Sequence, residues 1–96
     1  MKKHISILGS TGSIGVNALK IAKFLSKDIK VKYLTANKNF ELLIEQTKKY
    51  KPKSICLVDK KLYKNLKLGI NTKQVEILVG REGLIEISKR IDVNVM

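Results

Sequence analysis

Ninety-six residues, 44% of them hydrophobic and 29% charged, suffice for one small globular domain or part of a larger one, and exclude a large multidomain enzyme and a disordered chain. Twenty basic against eight acidic residues give a formal charge of +12, yet eighteen of the twenty are Lys, spread from Lys2 to Lys89 in runs no longer than two. That pattern reads as a solvated basic surface attractive to phosphorylated small molecules. A nucleic-acid footprint would cluster Arg and interleave stacking aromatics. No apolar stretch approaches the roughly 18 residues of a membrane span, and the N-terminus has neither a cleavage pattern nor a Ser/Arg-rich transit segment. With Cys56 as its one cysteine the chain can form no internal disulfide, and a cytoplasmic location is expected.

Two periodicities alternate along the chain. His4 to Leu8 reads as a short strand ending at Gly9. Ser13 to Lys27 switches to helical spacing, with Ile14, Ala18, Ile21, Ala22 and Leu25 as its apolar stripe. Lys30 to Ala36 is a second strand, and Asn39 to Lys51 a second helix, capped by Asn39 and stopped by Pro52, with Phe40, Leu43, Ile44, Thr47 and Tyr50 on one face. Ser54 to Val58 is apolar almost throughout, as a strand buried on both faces would be, which makes Cys56 a small core residue. Asp59 caps a short helix over Lys60 to Leu68 that Gly69 ends. Val75 to Val79 is a fourth strand, Gly80 to Ile91 a fourth helix, and Val93 to Met96 the beginning of a fifth strand. Strand and helix in alternation predict an α/β fold: a Rossmann-like parallel sheet with helices on both faces, truncated after the start of its fifth strand.

The segment Gly9-Ser10-Thr11-Gly12-Ser13-Ile14-Gly15 joins the first strand to the first helix with GxxGxxG spacing. Gly9 lets the chain leave the strand in a tight turn, Gly12 admits a pyrophosphate close to backbone N–H groups, and Gly15 allows the helix to pack closely on the strand. The helix N-terminus adds unsatisfied N–H groups and a partial positive charge, and Ser10, Thr11 and Ser13 add hydroxyls. An NAD site carries an acid about 20 residues further on for the ribose hydroxyls. Here that region reads Ala36-Asn37-Lys38-Asn39, without an acid. Lys38 is placed to meet a 2′-phosphate, and Asn37 and Asn39 can hydrogen-bond ribose or phosphate, so NADPH is the expected cofactor.

These motifs make the chain resemble the 1-deoxy-D-xylulose 5-phosphate reductoisomerase family. Ala36-Asn37-Lys38-Asn39 is similar to that family's Ala-Gly-Lys-Asn turn, and Glu45-Gln46, Lys51-Pro52-Lys53 and Gly80-Arg81-Glu82-Gly83-Leu84 extend the likeness from His4 to Met96. The resemblance implies NADPH contacts from Thr11, Gly12, Ser13, Ile14, Asn37, Lys38 and Asn39. One departure is Asn37, where many members have Gly; Asn tolerates a positive φ better than other side chains.

The resemblance also implies a parent enzyme of non-mevalonate isoprenoid precursor synthesis. That enzyme rearranges and reduces 1-deoxy-D-xylulose 5-phosphate to 2-C-methyl-D-erythritol 4-phosphate with NADPH and a divalent cation (Mg, Mn or Co), as a homodimer. The family's Asn-Lys-Glu segment, metal ligands and substrate-phosphate contacts follow the stretch matched here. Residues 1–96 are therefore expected to be the N-terminal portion of the cofactor domain, with no catalytic or metal residue of their own and no turnover alone. His4 precedes the turn, and Asp59, Asp92 and the Glu residues form no metal-spaced cluster. Two alternatives are an NADP-linked semialdehyde or acyl-phosphate reductase, for which Cys56 is wrongly placed, and a noncatalytic basic nucleic-acid-binding module. Neither nucleic acid nor membrane is an expected partner.

Overall fold

A computed structural model of the chain describes residues 3–24, 29–90 and 94–95, with side chains for 6–12, 15–24 and 30–90. In chain order the elements are β1 (Lys3–Ile7), α1 (Ser13–Phe24), β2 (Ile29–Ala36), α2 (Phe40–Tyr50), β3 (Ser54–Leu57), a 3-10 turn (Lys60–Leu62) leading into α3 (Tyr63–Leu68), β4 (Glu76–Val79), α4 (Gly80–Lys89) and β5 (Asn94–Val95). The strands form one parallel sheet in the order β4-β3-β2-β1-β5. The expected strands and helices are all present within a few residues of their anticipated bounds. Leu25 and Lys27 lie outside the described residues, as do Ile91, Val93 and Met96 at the end of the chain.

Topology decides which helix covers which face. From β1 to β4 the chain steps across the sheet in one direction, and from β4 it returns past β1 to β5. Right-handed crossovers then require α1, α2 and α3 on one face and α4 on the other. The core divides accordingly. Ala18, Leu19 and Ala22 of α1, Leu43 of α2 and Leu66 of α3 pack with Ile7, Val31, Leu34, Ile55 and Leu57 in one cluster. Ile87 of α4 packs with Tyr33 and Cys56 in a second, flanked by Leu78 and Leu84. All four residues of β3 are buried, as its apolar run predicts, whereas β4 is an edge strand with Glu76 exposed.

In β2 the register against β1 slips: Ile5 faces Val31 and Ser6 faces Tyr33, so Lys32 is an extra residue. This bulge shifts the alternation of faces, which is why Val31 and Leu34, three apart, enter the same cluster while Tyr33 enters the other.

The α1 stripe requires a correction. The buried residues are Gly15, Ala18, Leu19 and Ala22, while Ile21 is 56% exposed. Gly15 must face the preceding turn, and that constraint rotates the buried stripe off Ile21. In α2 the expected face is found with Gln46 added to it, buried beside Leu43 and Thr47. Asn39 caps α2, its Oδ1 accepting the Leu42 N–H at 3.1 Å, and Asp59 caps the 3-10 turn by accepting from Lys61 N at 3.0 Å. Gly69 ends α3 at φ −100°, so its glycine serves space rather than a left-handed turn: a Cβ there would lie 2.5 Å from Ile44 Cδ1. Gly83 plays a similar part in α4, where a Cβ would lie 2.9 Å from Leu78 Cβ and 3.1 Å from Cys56 Sγ. At the other end of α4, Arg90 bridges Glu86 and Glu76, and Glu76 also accepts from Ser54 Oγ at 2.8 Å.

Candidate cofactor site

At the carboxyl end of β1 the chain turns at Gly9, whose φ of +71° is the left-handed region that favours glycine. The turn is anchored from beneath. Gly9 N–H donates to Thr35 Oγ1 at 2.8 Å and Ser10 N–H to the Thr35 carbonyl at 2.7 Å. Ser10 is fully buried, and its hydroxyl oxygen lies 2.7 Å from Gln46 Oε1 and 3.2 Å from the Thr35 carbonyl. Gln46 Nε2 returns a bond to the Ser10 carbonyl at 2.7 Å. That carbonyl can only accept, which fixes the Gln46 amide with its oxygen toward the hydroxyl. Both donors of Ser10 are thus engaged in holding the turn onto β2 and α2.

Burial ends after Ser10. Thr11 is half-buried and Gly12 exposed, and Ser13 and Ile14 begin α1. Gly12 N–H donates to the Gly9 carbonyl at 3.1 Å, and the Gly12 carbonyl accepts from Val16 N at 2.8 Å as the first bond of the helix. The three glycines differ in what they permit. A Cβ on Gly9 would meet nothing within 4 Å, and one on Gly12 would make ordinary contact with the Gly9 carbonyl at 3.5 Å. A Cβ on Gly15 would collide with that carbonyl and lie 2.6 Å from Ser10 Cα. Gly15 is needed by the fold. Gly12 is exempt from that need, and the open space above Gly9 and Gly12, at a helix N-terminus, is the geometry in which backbone N–H groups meet an anion.

Asn37, Lys38 and Asn39 follow directly on β2, all exposed. The Asn37 carbonyl accepts from Asp59 N at 2.9 Å, tying this turn to the one after β3. Among the described residues Lys51 is the one non-glycine with a positive φ, so Asn37 sits in backbone that any residue can adopt. Further along the same rim, Lys60 Nζ lies 3.2 Å from Glu82 Oε2. The Glu82 carboxyl is held below its usual range by its own backbone N–H and then by Lys60. Gly9–Ser13, Asn37–Asn39, Asp59–Lys61 and Gly80–Glu82 therefore line the carboxyl edge of the sheet, and β1 and β5, whose connections run in opposite directions, form its switch point.

Two residues of this arrangement escaped the sequence reading. Thr35 carries its signal as a polar residue between Leu34 and Ala36 near the carboxyl end of β2. Gln46 carries it as a polar residue three positions from Leu43 on an apolar helix face. Cys56 is buried, and burial pushes its thiol up to about 11, as befits a core residue. Among the described residues no group of three His, Cys, Asp or Glu side chains could hold a metal ion, and no helix is long and apolar enough to cross a membrane.

The comparisons with known proteins agree with one another. The family profile of 1-deoxy-D-xylulose 5-phosphate reductoisomerase matches residues 5–96. The enzyme of that name from Chloroherpeton thalassium is 41% identical over 90 residues, covering 94% of this chain and 23% of the relative. A Bacillus thuringiensis reductoisomerase is 40% identical over 96 residues, covering 100% of this chain and 25% of the relative. The Zymomonas mobilis reductoisomerase in complex with NADPH superimposes with a TM-score of 0.87 at 30% identity, over 93% of this chain and 24% of that one. A reductoisomerase bound to NADPH, fosmidomycin and magnesium also gives 0.87 at 30% identity, over 97% of this chain and 23% of that one. This chain spans about a quarter of the length of the relatives it matches. On the profile match, the relatives and the shared fold, it belongs to the 1-deoxy-D-xylulose 5-phosphate reductoisomerase family.

Proposed function

We propose that these 96 residues are the N-terminal, NADPH-binding portion of an enzyme that rearranges and reduces 1-deoxy-D-xylulose 5-phosphate to 2-C-methyl-D-erythritol 4-phosphate. The observation that carries this reading is the Gly9–Gly15 turn, open above Gly9 and Gly12 and bonded through Thr35 to the strand that presents Lys38. Thr11, Gly12, Ser13 and Ile14 would receive the pyrophosphate on the N-terminal turn of α1, and Gly9 and Ser10 would shape that turn. Lys38, flanked by Asn37 and Asn39, would meet the ribose 2′-phosphate. The nicotinamide, when bound, supplies the hydride; these residues place it and perform no bond-making step. On this reading the divalent cation and the phosphorylated substrate are held by other parts of the enzyme. A homodimeric enzyme of the cytoplasm is the setting this reading assumes.

The test is titration of the purified 96-residue chain with NADPH and NADH, followed by cofactor fluorescence. Weak binding that prefers NADPH and declines as salt rises supports the reading. No binding at millimolar NADPH in low salt, or equal binding of the two, refutes it. NADPH oxidation with 1-deoxy-D-xylulose 5-phosphate and Mg²⁺ should not exceed the no-protein control, because on this reading other parts of the enzyme hold the substrate at hydride distance.

A further inference from the structure

Resting on that cofactor reading, we infer that Gln46 and Thr35 are positioning residues that set the spacing between the two phosphate-facing turns. The two turns are far apart in sequence; the pairing of β1 with β2, up to Ile7 against Leu34, brings their starts side by side, and the side chains of Thr35 and Gln46 join the turns themselves. Thr35 stands two residues before Asn37, and Gln46 seven residues after Asn39, on the helix that Asn39 caps. Both reach the Gly9–Ser10 segment. Thr35 accepts from Gly9 N at 2.8 Å and from Ser10 N at 2.7 Å, and Gln46 exchanges two bonds of 2.7 Å with the Ser10 hydroxyl and carbonyl. The Ser10 hydroxyl has one proton, and the shorter bond, to Gln46, takes it; the Thr35 carbonyl already holds the Ser10 N–H. The turn carrying Lys38 is therefore gripped from both of its ends, by β2 and by α2, against the turn that faces the pyrophosphate.

Burial gives the grip its stiffness. Ser10, Thr35 and Gln46 are 0%, 3% and 5% exposed, so water does not compete for these bonds and a lost partner is not replaced. A dinucleotide spans both turns. Its affinity depends on their standing at the right separation before it arrives, and a loosened clamp would make binding do the ordering.

The test compares wild type with Gln46→Met, which preserves side-chain length but neither bond, and with Thr35→Val, isosteric but unable to accept from Gly9 N. NADPH affinity is measured at a temperature where circular dichroism shows each chain folded. A rise in the NADPH Kd of about five- to tenfold in a folded variant, with a smaller rise for NADH, which lacks the 2′-phosphate that the Lys38 turn faces, supports the inference. If Gln46→Met fails to fold, Thr35→Val decides by the same reading. A lowered Tm with an unchanged NADPH Kd overturns the inference and leaves these residues a stabilising role alone. Failure of the wild type to bind NADPH would instead overturn the cofactor reading, and the inference with it.

Discussion

Gly12 and Gly15 share a motif and are exposed to opposite tests. A methyl group at position 15 would lie 2.6 Å from Ser10 Cα and 2.9 Å from the Ser10 carbonyl carbon, all backbone, which a rotamer change cannot relieve. Overpacking of this kind costs about 1–3 kcal/mol, against a gain of up to about 1 kcal/mol from replacing glycine in a helix. Gly15→Ala should therefore lose about 1–2 kcal/mol, or about 4–16 °C in Tm for a domain of this size. At position 12 the same methyl group meets only the Gly9 carbonyl, at 3.5 Å. Gly12→Ala should change stability by less than about 0.5 kcal/mol. It would nevertheless stand between the backbone N–H groups and a pyrophosphate. Losing one hydrogen bond to a charged oxygen, worth about 1.5–3 kcal/mol, weakens NADPH about 10- to 100-fold; Gly12→Val should abolish binding. Thermal unfolding and NADPH titration on the same samples check both halves. Normal NADPH binding by a folded Gly12→Ala chain would refute the phosphate-turn reading, and an unchanged Tm for Gly15→Ala would refute the packing argument.

Lys38→Asp should weaken NADPH and help NADH, so the affinity ratio falls; an unchanged ratio, measured by paired titrations, removes Lys38 from cofactor selection. Glu76 is held below the usual carboxylate range by hydrogen bonds from Arg90 and then Ser54. A lowered folded pKa contributes stability above the ordinary value that is lost as pH falls through the folded one. Denaturant melts should thus show wild type losing more between pH 5 and pH 3 than Arg90→Ala, by up to about 1 kcal/mol because the pair is partly exposed. Cys56, pushed up to about 11, should resist iodoacetamide at pH 8 until the chain unfolds. For this thiol the sign is opposite: the native state keeps its proton while the unfolded chain releases it, so stability falls as pH climbs from about 9 to 11.

What the sequence made legible was whatever rests on local pattern. The apolar run Ser54–Leu57 needs no partner to announce a strand buried on both faces, and Asn39 and Asp59 announce caps by residue type and place. In α1 Ala18 and Ala22 are buried as the spacing predicts, but Ile21 is not, because helical spacing leaves a neighbouring phase open, and the deciding contact, Gly15 against the Gly9 carbonyl, lies between elements. The bulge at Lys32 was hidden for a similar reason: an extra residue exists only relative to the register of β1. Ser10 shows the limit most sharply. Its residue type and position suit a phosphate donor, but hydroxyls look alike in sequence whether they face a ligand or, as here, the side chain of Gln46.

Charge and geometry make separate contributions at this site. A formal charge of +12 draws any phosphorylated molecule toward the surface, and that attraction neither orients the molecule nor distinguishes one phosphate ester from another. Orientation has to come from fixed backbone. The sheet order provides the place: β1 carries the Gly9 turn at the point where connections diverge, and β2 beside it carries Lys38. A lysine elsewhere on the surface can be exchanged with little consequence beyond a shallower salt dependence. Lys38 is distinguished by what precedes it, since Thr35, three residues earlier near the end of β2, is bonded to the glycine turn itself. Screening by salt should therefore weaken NADPH and other phosphate esters alike. Disturbing Gly12 or Thr35 should act mainly on ligands long enough to reach from one turn to the other.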